Sequence, residues 1–200
     1  MSKVTIAILA GGKSSRMGRD KSFVELNGRY LINHVLDAVA ELGDEQILIT
    51  NKPSEYAFLG LPMFGDVYPD HGSLGGIFTA IHYAAHPHTL VVACDMPWLK
   101  RPLLQHMLTL RETAELVVPR WDKYPEPLHA VYNKSCLAPI EEKLKAKRLK
   151  ITGFFSDVNV RFLDRDEIKR WDENGRSFTN LNTPDELQTA QENNPPIPKK

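Results

Sequence analysis

Residues Val4-Thr5-Ile6-Ala7-Ile8-Leu9 form an apolar run of strand length that stops at Ala10-Gly11-Gly12. Such a run suits a strand covered on both faces, as in a parallel sheet. After the turn signal Asn27-Gly28, apolar residues recur at Leu31, Val35, Ala38, Val39 and Leu42. That spacing draws one face of a helix, with Gly43 placed to end it. Gln46 to Thr50 reads as a second strand, and a loop with Pro and Gly runs from Phe64 to Ser73. A helix from Leu74 to Ala84 follows. Thr89 to Ala93 is a third buried strand, closed by Cys94-Asp95-Met96-Pro97. Strand and helix alternate, which predicts a parallel sheet with right-handed crossovers.

The second half is less regular. Glu115 to Pro119 and Leu128 to Tyr132 are strand-like, and the link between them is too short for a crossover helix. They are expected to pair antiparallel. The expected fold is therefore three-layer α/β, with a Rossmann-like, mostly parallel sheet and a mixed, antiparallel insertion in the C-terminal half. Ser135 to Lys147 reads as an amphipathic helix carrying basic residues. Thr183 as N-cap and Pro184 at the first helical position start a last helix. The Pro- and Lys-rich stretch Asn193 to Lys200 is expected to be disordered. No internal repeat is visible.

The length of 200 residues fits one domain over 1–192, with a ligand-binding half to about residue 100 and a second half from about 101 to 192. Lys plus Arg and Asp plus Glu number 25 each, giving a formal net charge of zero. That balance argues against a nucleic-acid coat protein and leaves room for a local basic pocket. Two cysteines, Cys94 and Cys136, make neither a metal-ligand pair by spacing nor a disulfide framework. The apolar start is too short for a signal peptide, and no run approaches the roughly 20 residues of a membrane helix. A soluble, cytoplasmic protein is expected.

The candidate chemistry begins in the segment Leu9 to Lys21, LAGGKSSRMGRDK. It follows the first strand, where α/β proteins place their ligands. Gly11 and Gly12 leave backbone N–H groups open to phosphate oxygens. Lys13, Arg16, Arg19 and Lys21 add four cations. The segment is neither a Walker A loop nor a G-x-G-x-x-G fingerprint. Composition alone leaves an ordinary solvated loop open, and its position favours phosphate binding.

The pattern L-A-G-G-x-x-x-R-M-G-x-D-K resembles the signature loop of nucleotidyltransferases that activate small phosphorylated molecules. It is most similar to that of the MobA-type molybdenum cofactor guanylyltransferases. Asn51 after the second strand, Asp66 before Gly72-Ser73-Leu74-Gly75-Gly76, Cys94-Asp95-Met96-Pro97, and Phe178-Thr179-Asn180-Leu181-Asn182-Thr183-Pro184 fall in the matching order. The Asn-Leu-Asn-Thr-Pro segment favours the molybdenum cofactor branch.

That resemblance implies a reaction of GTP with the terminal phosphate of molybdenum-loaded molybdopterin, giving a dinucleotide cofactor and pyrophosphate. It implies that Leu9, Ala10, Gly11 and Gly12 meet the nucleotide, that Lys21 sits against the triphosphate with Arg16 beside it, and that Asp95 holds Mg²⁺. Asp66 and Asn51 match nucleotide-contacting positions, and the Gly72 to Gly76 stretch would let the chain pass close to the nucleotide. On the acceptor side it implies Asn180 and Asn182, drawn on one face of a strand-like segment. It adds the basic cluster Lys147, Arg148 and Lys150, and also His129. Asp95 as a helix cap, Asn51 as a turn former, the basic cluster as a solvated helix end and His129 as a half-buried strand residue stay open beside these roles. Cys94 is expected to be a small buried apolar residue, and Trp98, Trp121 and Trp171 packing residues.

Substrate choice also stays open. Cytidylyl relatives more often carry Ala-Ala-Gly where this chain has Ala10-Gly11-Gly12. A molybdopterin cytidylyltransferase, a sugar-phosphate or phospholactate nucleotidyltransferase, and a non-catalytic nucleotide-binding protein are the alternatives. The family also implies molybdenum-insertion and pterin-processing proteins as partners, with no nucleic acid and no membrane.

Overall fold

The structure is a computed structural model, and it describes residues 3–11, 21–181 and 186. A seven-stranded sheet runs through it in the order β5-β4-β1-β6-β8-β7-β9. Its strands are β1 (Val4–Leu9), β4 (Glu45–Ile49), β5 (Met63–Phe64), β6 (His88–Ala93), β7 (Leu116–Pro119), β8 (His129–Asn133) and β9 (Val160–Leu163). A separate two-stranded ribbon pairs β2 (Glu25–Leu26) with β3 (Arg29–Tyr30). β8 alone runs against its neighbours, pairing antiparallel with β6 and β7, while β7 and β9 are parallel. The mixed sheet expected from the short β7–β8 link is therefore present.

Helices cover both faces of the sheet. Period-two alternation puts Ile6 and Ile8 of β1 on one face and Ala7 on the other. The first face packs with Leu48, Leu90 and Val92 against α1 (Leu31–Val39), α4 (Arg101–Thr109) and Ile168 of α6 (Arg165–Lys169). The second packs with Ile47 and Val91 against α3 (Gly72–Tyr83) and α5 (Leu137–Lys145). α6 starts on Asp164, whose carboxylate accepts the Glu167 amide at 2.9 Å. A short helix, α2 (Pro53–Tyr56), has Pro at its first position.

Several elements differ from the sequence reading. α1 ends at Val39 rather than at Gly43: Ala40 leaves the helix and Glu41 takes a φ of 59°. Gly43 serves packing instead, since a Cβ there would lie 2.7 Å from Ile6 and 2.9 Å from the Val4 carbonyl. The segment read as loop from Phe64 contains the end of edge strand β5, and α3 begins at Gly72 with a φ of 59°. α4, β9 and α6 are additional elements. The helix read over Ser135–Lys147 is a 3-10 turn, Lys134–Cys136, followed by α5. Asn180 lies outside any strand. Gly12, Arg16, Asn182, the Thr183-Pro184 helix start and the stretch from Asn193 lie outside the described residues.

Candidate functional site

The carboxyl ends of β4, β1 and β6 lie side by side, and main-chain hydrogen bonds continue just beyond them. The Ala10 amide donates to Ile49 at 2.9 Å, and the Cys94 amide donates to Leu9 at 3.1 Å. Leu9-Ala10-Gly11, Thr50-Asn51 and Cys94-Asp95 are thereby brought to one edge. Gly11 has a φ of 113°, a region that side-chain-bearing residues avoid, so glycine is required for this exit from β1.

Lys21 reaches this edge through the 3-10 turn Lys21–Phe23. Its Nζ lies 3.5 Å from Asp95 Oδ2, with side-chain exposures of 20% and 17%. The next residue anchors the pair. Ser22 is fully buried; its hydroxyl donates to the Cys94 sulfur at 3.0 Å and accepts from the Tyr56 hydroxyl at 2.8 Å. Phe23 stacks obliquely on Tyr56 at 4.8 Å. Cys94 is thus buried, as expected, and it carries a hydrogen bond that spacing did not announce.

Asn51 and Asp66 face each other. The Asn51 amide donates to the Asp66 carboxylate at 2.8 Å, and the Asp66 main-chain amide donates back to Asn51 Oδ1 at 2.8 Å. Asn51 is exposed and Asp66 half-buried, which leaves the pair accessible at the rim beyond β4. The Gly72–Gly76 stretch packs closely against its protein surroundings. A Cβ on Gly75 would meet the Tyr68 carbonyl at 3.0 Å and His71 at 3.1 Å, and one on Gly76 would meet Leu9 at 3.4 Å. Those glycines let α3 approach the preceding loop and the end of β1.

On the other side of β6, the segment 172–181 is tied to the loop after Asp95 at two points. The Leu181 amide donates to the Asp95 carbonyl at 3.1 Å, and the Lys100 amide donates to Ser177 Oγ at 2.9 Å. Buried Asp172 shapes this segment by accepting the amides of Arg176 at 3.2 Å and Ser177 at 2.8 Å. Asp172 and Ser177 went unread in the sequence, although an Asp three residues before a glycine is a local turn signal. Asn180 lies next to Leu181, with its Oδ1 buried and without a hydrogen-bond partner among the described residues.

His129, at the start of β8 opposite Val92, is fully buried rather than half-buried. Its ring lies 5.1 Å from that of Phe178, and among the described residues neither ring nitrogen has a geometric hydrogen-bond partner. Burial pulls its pKa down to about 4, against the opposing charge of Asp172. Lys150 is exposed just after α5, beside Arg148, which reaches Glu142 at 3.4 Å. The Tyr68 hydroxyl ties Glu141 of α5 to the loop before α3 at 2.6 Å. A polar cavity of about 270 Å³, lined by His88, Arg111, Glu115 and Asn133, lies at the opposite edge of the sheet.

Among the described residues no group of three or more His, Cys, Asp or Glu side chains is placed to hold a metal, and no helix is long and apolar enough to cross a membrane. A single carboxylate at the mouth of a strand is a donor set that suits Mg²⁺, which takes most of its ligands from water and substrate phosphates.

Residues 6–156 match the family model for the MobA-like NTP transferase domain. A probable molybdenum cofactor guanylyltransferase of Clostridium perfringens (strain 13) is 35% identical over 195 residues, covering 94% of this chain and 96% of that one. The molybdenum cofactor guanylyltransferase of Desulfosudis oleivorans is 34% identical over 193 residues, covering 96% of each. The crystal structure of molybdopterin-guanine dinucleotide biosynthesis protein A from Archaeoglobus fulgidus superposes with a TM-score of 0.82 at 29% identity, covering 94% of this chain and 97% of that one. On these matches and this fold, the chain belongs to the MobA-like NTP transferases, in their molybdenum cofactor guanylyltransferase branch.

Proposed function

We propose that the protein transfers GMP from GTP to the terminal phosphate of molybdenum-loaded molybdopterin and releases pyrophosphate. The observation that carries this reading is the pairing of Lys21 with Asp95 at 3.5 Å, at the sheet edge that binds ligands in α/β folds, in a chain that matches guanylyltransferases over nearly its whole length.

The chemistry follows from charge. A phosphate oxygen of the acceptor attacks the α-phosphorus of GTP, and the bond from that phosphorus to the β-phosphate oxygen breaks. The attacking group is already an anion, so no strong general base is needed. What is needed is positive charge where pyrophosphate leaves. Lys21 supplies it, and in this reading Arg16 stands beside it. Asp95 would hold Mg²⁺, which when bound supplies further charge neutralisation on the triphosphate. Leu9, Ala10, Gly11 and Gly12 receive the base and ribose through backbone groups, with Asn51 and Asp66 at the rim. The acceptor lies beyond β6, where Asn180, Asn182, His129 and Lys150 belong in this reading. Molybdenum-insertion and pterin-processing proteins are the expected partners, and the cytoplasm the expected location.

Calorimetric titration with GTP, CTP, ATP and UTP in the presence of Mg²⁺ tests the nucleotide half. Selective GTP binding is the expected result. Preference for CTP would move the protein to a cytidylyl activity, and binding of none would favour a non-catalytic chain.

A further inference from the structure

The loop between β7 and β8 carries a carboxylate that has no part in the scheme above. The Glu126 amide donates to the Pro119 carbonyl at 2.9 Å, and the Glu126 carbonyl accepts the His129 amide at 3.0 Å. Its place at the carboxyl end of β7 is therefore held from both sides. Two residues on, the Leu128 carbonyl accepts the Ala93 amide at 3.2 Å, and Asp95 lies two residues beyond Ala93. That pairing puts the Glu126 loop at the same mouth of the sheet as Asp95, across β6 from Gly11, Thr50 and Asn51.

The Glu126 side chain is half-buried, and its carboxylate makes no hydrogen bond or ion pair among the described residues. Burial pushes its carboxyl above the usual range, and the nearby charge of Asp122 pushes the same way. A carboxylate in such a place costs stability. Two further groups without a geometric hydrogen-bond partner among the described residues belong to the segments on the same side of Asp95: the fully buried His129 ring and Asn180 Oδ1. On the nucleotide side, by contrast, the Asp66 carboxylate is already engaged by Asn51.

We propose that Glu126 reads the ring system of the acceptor, accepting paired hydrogen bonds from the adjacent N–H donors on the 2-amino-4-oxo-pyrimidine edge of a pterin. The lactam N–H and the exocyclic amino group of that edge point the same way, at a spacing that matches the two oxygens of one carboxylate, and charge-assisted paired bonds of this kind are strong and directional. Guanine presents the same edge, and position separates the two: Glu126 lies across β6 from the strands that would hold the nucleotide. This inference rests on the guanylyltransferase reading.

The test is Glu126→Gln in the full chain, with Glu126→Asp as the conservative variant. KM for molybdopterin, KM for GTP, kcat and Tm are measured for each. The glutamine keeps the shape and loses one acceptor, so KM for molybdopterin rises on the order of tenfold or more. KM for GTP stays as in the wild type, Tm does not fall, and Glu126→Asp recovers part of the loss. A rise in KM for GTP alone would assign Glu126 to guanine and overturn the proposal. Unchanged constants, or a loss matched by a fall in Tm, would overturn it too. A wild-type protein that does not turn over molybdopterin with GTP would overturn the enzyme reading and this inference together, whereas normal turnover by both proteins would overturn this inference alone.

Discussion

The Ser22 hydroxyl donates to the Cys94 sulfur at 3.0 Å, and each partner stands next in the chain to one member of the Lys21–Asp95 pair. A buried hydrogen bond thus sets the spacing of the two charged groups at the surface. Ser22→Ala removes it together with the acceptor for Tyr56. Losing buried hydrogen bonds of this kind costs about 1–3 kcal/mol, which in a chain of this size lowers Tm by roughly 2–4 °C per kcal/mol. Thermal unfolding and turnover measured on one preparation should both fall, because Lys21 loses its fixed distance from Asp95.

Lys21→Ala and Asp95→Ala should separate activity from stability. Both side chains are partly solvated, at 20% and 17% exposure, so their ion pair contributes at most about 1 kcal/mol to folding. Turnover should fall by about a hundredfold or more in each, as for loss of a group that stabilises transition-state charge. Tm should move by only a few degrees. A large fall in Tm with modest loss of turnover would mark the pair as structural.

Gly175 tests the segment that ties Ser177 and Leu181 to the loop after Asp95. It has a φ of 63°, and a Cβ there would overlap the Trp121 indole. Gly175→Ala should therefore cost about 2 kcal/mol or more, from backbone strain and overpacking together. Trp121 is held from outside as well, with the Arg165 guanidinium 4.6 Å from its ring centroid. Differential scanning calorimetry of the variant measures this directly.

His129 predicts an acid-sensitive fold. Its pKa is about 4 in the folded chain against an ordinary value of 6.5. Above pH 6.5 both states are neutral and nothing is lost. Between those values the unfolded chain takes up a proton that the folded chain refuses, so stability falls with pH, by on the order of 3 kcal/mol in total. Glu126, whose carboxyl is raised, acts in the opposite sense and gains stability as it protonates. His129→Leu should flatten the decline in Tm between pH 6.5 and 4.5, while an unchanged decline would assign it to other groups.

The parts of the fold that could be read from the chain are those with a strong one-dimensional signal. Val4–Leu9 and Thr89–Ala93 are buried on both faces, and that shows as continuous apolar residues. β9 escaped because Arg161 interrupts it at the edge of the sheet, with its guanidinium on Glu167 at 2.7 Å. Gly43 was misread because its reason lies in β1, 37 or more residues earlier in the chain, where only the folded structure brings Ile6 against it. The site divides in the same way. Lys21 and Asp95 could be named from the motifs around them, whereas Ser22, Tyr56 and Cys94 form a chain of hydrogen bonds across 72 residues. Glu126 carries no motif signal of its own, and only its fixed, unpaired carboxylate in the folded chain marks it out.

The central claim is tested most directly by incubating the purified protein with Mg²⁺, GTP and molybdenum-loaded molybdopterin, then measuring dinucleotide and pyrophosphate together. The account predicts equal amounts of guanine dinucleotide and pyrophosphate from the wild type, far less product with CTP, and almost none from Asp95→Ala. Product formed equally well by Asp95→Ala, or from CTP in preference to GTP, would contradict it.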